Sequence, residues 1–123
     1  LALETKDIPS RNLTITNKLF QYLQGGLAVI ATDTEGQKEV FSQAPDIGEV
    51  VPYGDSLALA QAINNLLRDR AKLDRAKSSA LKAFQDKFCW EKQSNILLDR
   101  INCLFLNRLT IITSIFYTYS SNF

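Results

Sequence analysis

Residues 16–33 read Thr16-Asn17-Lys18-Leu19-Phe20-Gln21-Tyr22-Leu23-Gln24-Gly25-Gly26-Leu27-Ala28-Val29-Ile30-Ala31-Thr32-Asp33. Two patterns meet in this stretch. Leu19, Phe20 and Leu23, with Ile15 just before them, fall on one face of a helix over about 15–24. Thr14 or Thr16 supplies its N-cap. Gly25-Gly26 stops the helix, because glycine takes the left-handed conformation after a helix end without a Cβ penalty. Leu27-Ala28-Val29-Ile30-Ala31 then runs apolar without alternation. That is the pattern of a strand covered on both faces, as in a parallel sheet.

Upstream, Leu1–Leu3 reads as the end of a strand. Residues 4–14 read as a loop, with Pro9, Ser10 and Asn12 as turn formers. Downstream, Asp33 to Gly36 is a polar turn and 37–43 a short helix. Gly48-Glu49-Val50-Val51 is a second short strand ended by Pro52. Asp55 or Ser56 caps a helix over 56–69 with Leu59, Ile63, Leu66 and Leu67 as its apolar stripe. A helix over about 71–87 carries Leu73, Ala76, Ala80, Phe84 and Phe88 on one face. The last helix, about 90–106, groups Leu97, Ile101, Leu104 and Phe105, with Trp90 packing at its start. Buried strands alternating with amphipathic helices give an α/β fold with a parallel sheet. Three short strands make only part of a doubly wound, Rossmann-like sheet, here with a helical C-terminal end.

The composition sets limits. The chain has 123 residues, one domain's worth, with 46% hydrophobic residues, 22% charged residues and a net charge of +1. That near-neutral balance lacks the basic stripe that nucleic-acid binding needs. There is no His, so a Ser–His or Cys–His nucleophile pair is excluded and a zinc site is disfavoured. Cys89 and Cys103 are too few for a disulfide framework and read as reduced packing residues in a cytoplasmic protein. There is no Met, and Leu1 opens the chain, which reads as a processed protein or an internal piece of a longer one.

Charge is unevenly spread. After position 101 the only charged residue is Arg108, so 1–101 reads as globular and 102–123 as an apolar tail. Asn107 and Arg108 interrupt the roughly 20 apolar residues that a bilayer span requires. The tail's first part continues the last helix in one reading. Leu109–Tyr119 has strand-like composition in another, and non-native sequence is a third. A membrane-surface role rests on this tail alone.

The 16–33 stretch resembles the donor-binding core of the GT-B glycosyltransferases. It is most similar to the C-terminal domain of the family 4, or glycosyltransferase group 1, enzymes. Four further pieces follow in the family's order: Glu35-Gly36-Gln37-Lys38-Glu39-Val40; Gly48 to Asp55; Leu59-Ala60-Gln61-Ala62-Ile63 with Leu66-Leu67-Arg68-Asp69; and Phe88-Cys89-Trp90-Glu91. Each is weak alone, and five in order across 1–101 are specific.

The resemblance implies sugar transfer from a nucleotide-activated donor to an acceptor. The nucleotide-sugar is then a substrate, and no cofactor or metal is implied. Thr16, Asn17 and Lys18 would face the donor diphosphate, with Lys18 neutralising it as it leaves. Gln21 stands where the family usually has a Glu that bonds the donor ribose hydroxyls. An amide still offers an acceptor and adds donors. Glu39 matches the family's Glu after the glycine turn. On residue type alone, Lys18 is a solvated side chain and Glu39 a solvated or capping one. No residue here is assigned as catalytic. The chain would need an N-terminal acceptor domain as its partner. The alternative is a degenerate, non-catalytic GT-B-like interaction module.

Overall fold

Four residues in the middle of the decisive stretch, Val29–Thr32, form strand β1, and all four are buried. They pair in parallel with β2, Gly48–Val51, in the register Val29↔Gly48 to Thr32↔Val51. Ala2 adds a single parallel bridge to Ala31, its amide donating to Ile30 O at 2.8 Å. Ala31 thus has neighbours on both edges and β1 is central. The expected three-stranded sheet is therefore two strands plus one bridge. This computed structural model describes residues 1–120, with side chains through Phe105.

Helices α1 (Pro9–Leu13), α2 (Asn17–Gln24), α3 (Glu35–Gln43), α4 (Ser56–Arg68), α5 (Arg70–Ala83) and α6 (Trp90–Ser120) complete the described chain. A 3-10 turn at Pro45–Ile47 leads into β2, and a π turn, Phe84–Phe88, ends α5. Leu1–Phe88 is one compact unit, and the described residues from Cys89 on belong to a second.

The helix stop is a Schellman motif. Gly26 has φ +61°, its amide donates to Leu23 O, and the Leu27 amide donates to Tyr22 O, each at 3.0 Å. Strand residues alternate between two faces. Val29 and Ala31 join Leu19 and Leu23 of α2, Val40 and Phe41 of α3, and Ala80 and Ala83 of α5. Burying each leucine fully is worth about 1.5–3 kcal/mol. Ile30 and Val51 instead meet Ala62 and Leu66 of α4.

Several expectations change. Pro9 opens α1 rather than a turn, since proline suits the first position of a helix. The Asp33–Gly36 turn is in part the start of α3: Thr34 caps it, its hydroxyl accepting from the Gln37 amide. Leu67 is exposed, and Ala62 takes the place expected of it in the stripe. Trp90 is 73% exposed rather than packed, and Cys103 is exposed too. The backbone of 109–119 is helical, not a strand. No helix among the described residues is long and apolar enough to cross a membrane.

Candidate functional site

In open α/β sheets ligands bind beyond the carboxyl ends of the strands. Three such ends converge here: the segment after Leu3, the residues after β1, and the turn after β2. Asp33 ties them together. Its Oδ2 accepts from Lys6 Nζ at 2.6 Å and its Oδ1 from the Tyr53 amide at 2.8 Å. The Tyr53 hydroxyl donates to Asp7 and accepts from Thr5 Oγ1 at 3.0 Å.

Beneath this layer lies a buried polar link. Gln37 is fully buried, and its Nε2 donates to Ala2 O at 2.7 Å. The Thr32 hydroxyl accepts from the Glu4 amide at 2.8 Å. Its proton faces Glu4 O at 2.9 Å and Gln37 Oε1 at 3.0 Å. Two side chains therefore do the work of ladder hydrogen bonds for a segment that makes only one bridge. Arg11 lies 3.5 Å from the Glu4 carboxylate.

Lys6 holds the Asp33 carboxyl below the usual carboxylate range. Partial burial opposes this, and the Tyr53 amide adds to it. The ionised form is thus favoured in the folded state. That stabilisation is complete above the unfolded value and is lost as pH falls through the folded one. Both partners are about a third exposed, so the effect is screened and small. Asp33→Asn is expected to melt with a shallower loss of Tm than the parent between about pH 5 and 2. Parallel slopes in thermal melts would refute the linkage.

A cleft of about 410 Å³ opens at this edge, between Leu3, Val51, Pro52, Leu59 and the Tyr53 ring. Among the described residues, no three of His, Cys, Asp and Glu are grouped to hold a metal.

The residues expected to bind a donor lie at the start of α2 and on α3. Thr16 is the N-cap of α2, but its side chain makes no cap bond. Its Oγ1 is the one buried side-chain polar atom among the described residues without a hydrogen-bond partner. Asn17, Lys18 and Gln21 follow within the first turn and a half, all exposed. Glu39 lies on α3, where its carboxylate accepts from Gln43 Nε2 at 2.9 Å, a bond within its own helix. The structure thus groups the first four and holds Glu39 on another element. Asp33 and Glu35 diverge: Asp33 takes Lys6, and Glu35 takes Lys38 at 2.6 Å. Gln37 and Tyr53 fall inside two of the family-like pieces, Glu35–Val40 and Gly48–Asp55, which give neither a role, and Lys6 lies in none. Lys6 and Tyr53 lie just past the ends of extended segments, while Gln37 lies in the first turn of α3.

A family model described as Glycosyl transferases group 1 matches residues 8–69. The match runs from the N-cap of α1 to the residue that ends α4. No curated protein and no solved structure matches the chain.

Proposed function

Because the chain belongs to the Glycosyl transferases group 1 family, we propose that it supplies part of the site for a nucleotide-activated sugar donor, as the C-terminal portion of a GT-B-type enzyme. The first turn of α2 binds the donor diphosphate. The leading N–H groups of a helix have no intrahelical partners and carry the positive end of its dipole. Lys18 adds a point charge that grows in value as the leaving group gains charge. Gln21, one turn on, bonds a ribose hydroxyl through its amide. Glu39 completes the donor set from α3. Acid–base chemistry and the acceptor come from an N-terminal domain, and no metal or cofactor takes part. The compartment is the cytoplasm.

The observation that supports this most is the orphaned Thr16 hydroxyl. A buried hydroxyl left unbonded costs about 1–3 kcal/mol. A phosphate oxygen at the helix start gives it a partner.

The test is an amide NMR titration with UDP-glucose, GDP-mannose and ADP-glucose. Shifts centred on residues 14–21 are expected with one of them. Lys18→Ala is expected to weaken that binding about tenfold, the scale of one charge-assisted hydrogen bond. No shift at 14–21 with any of the three would overturn the reading.

A further inference from the structure

We propose that the cleft beside Tyr53 binds a neutral saccharide ring, stacked on the face of the Tyr53 side chain. This rests on the glycosyltransferase reading and adds to it a place for a sugar distinct from the place for phosphate. The cleft lies beyond the carboxyl ends of Leu3, β1 and β2. Its volume of about 410 Å³ falls within the range of small-molecule sites.

Its shape and chemistry select the ligand. Leu3, Val51, Pro52 and Leu59 make an apolar floor. Tyr53 makes one wall and is fixed at both ends. Its amide bonds Asp33, and its hydroxyl bonds Asp7 and Thr5. A ring held this way is already in its bound conformation, so stacking costs little ordering entropy. Tyr53 is 40% exposed, which leaves surface for contact. An aromatic face is apolar and slightly negative. A pyranose presents the complement, a face of C–H groups rimmed by hydroxyls.

Charge excludes the phosphate alternative. Glu4 and Asp55 line the cleft, and Asp33 and Asp7 bond the Tyr53 amide and hydroxyl at its wall. The nearby cations are engaged, Lys6 with Asp33 at 2.6 Å and Arg11 beside Glu4 at 3.5 Å. Among the described residues, those lining the cleft include no Lys or Arg. The start of α4 points here, but Asp55 already fills the anion position, accepting from the Ala58 amide at 2.8 Å. A phosphate would meet like charge. Sugar hydroxyls would instead find acceptors in the carboxylates and in the Thr5 and Ser56 hydroxyls.

One ring chemistry has two sources: the sugar carried by the nucleotide, or a free acceptor saccharide. The experiment follows the Tyr53 ring signals by NMR in the 123-residue chain. The ligands are UDP-glucose, UDP, GDP-mannose, GDP, methyl glucoside and methyl mannoside. Tyr53 is expected to shift with a sugar-bearing ligand and not with UDP or GDP, and the bound sugar protons move upfield. A response to the methyl glycosides marks an acceptor site, and one confined to the nucleotide-sugars marks the donor sugar. Tyr53→Leu is expected to weaken sugar-bearing ligands about threefold to tenfold relative to the bare nucleotides. Tyr53→Phe, which keeps the ring, retains most of that difference.

Shifts at 14–21 with a silent Tyr53 ring would overturn this proposal and leave the donor reading standing. A Tyr53 response without shifts at 14–21 would do the reverse. Silence at both places would end both.

Discussion

Gly48→Ala is expected to prevent the Leu1–Phe88 unit from folding. A Cβ built on Gly48 lies 1.7 Å from Val29 O and 2.7 Å from Val29 C. These are backbone atoms of the residue that pairs with Gly48 in the parallel ladder, so no rotamer change relieves the overlap. The backbone conformation, φ +158° and ψ −139°, leads the chain out of the 3-10 turn and into β2. Relief requires β2 to leave β1, which uncovers Ile30 and Val51 from α4. The cost exceeds about 4 kcal/mol, the level at which single substitutions become exceptional. It consumes most of the stability of a marginal domain. Thermal melts should show a Tm drop above about 15 °C or no cooperative transition. Gly54→Ala is the control: φ there is +80°, but no atom lies within 4 Å of the added Cβ. Its loss should stay near 1 kcal/mol. A Gly48→Ala protein melting within a few degrees of the parent would refute the argument.

What the sequence makes legible is whatever depends on neighbours a few residues away. The helix before Gly25-Gly26 and the doubly covered strand after it follow from periodicity and from one residue's freedom in φ. The errors have local reasons as well. Leu27 and Ala28 look like strand residues, but the Leu27 amide is spent closing the Schellman motif, so β1 starts at Val29. Gly36 reads as a turn glycine. It is helical, and a Cβ there would lie 2.5 Å from Thr14 O, so its role is to let two segments approach closely. The site is harder. Lys6 and Asp33 are 27 residues apart, and Asp7 and Tyr53 are 46 apart. Nothing in a linear pattern pairs such residues until the parallel sheet brings its carboxyl ends to one edge. The family pattern points to Thr16 to Gln21 and to Glu39 because motifs are linear; Tyr53 stands inside its Gly48–Asp55 piece, but no linear pattern pairs it with Asp7 and Asp33.

Gln37→Leu has the second-largest expected effect, and it links stability to the site. The amide is fully buried and serves two segments, donating to Ala2 O and accepting near the Thr32 hydroxyl. Leucine fills similar space but leaves the carbonyl of Ala2, itself 1% exposed, without that donor. Such an orphan costs about 1–3 kcal/mol. The loss is not spread evenly. The Leu1–Asp7 segment is held by the Ala2 bridge, the Thr32–Glu4 bonds, the Lys6–Asp33 pair and the Tyr53 hydroxyl, and Gln37 lies under the first two. Its removal should therefore raise hydrogen exchange at the Ala2 and Glu4 amides well before those of α5. The same loosening frees Thr5 and Asp7 from Tyr53, so the ring gains mobility and the cleft loses its fixed wall. Exchange and thermal melts together check this. A uniform rise in exchange across the unit would show that Gln37 supports the whole fold rather than the edge where the site lies.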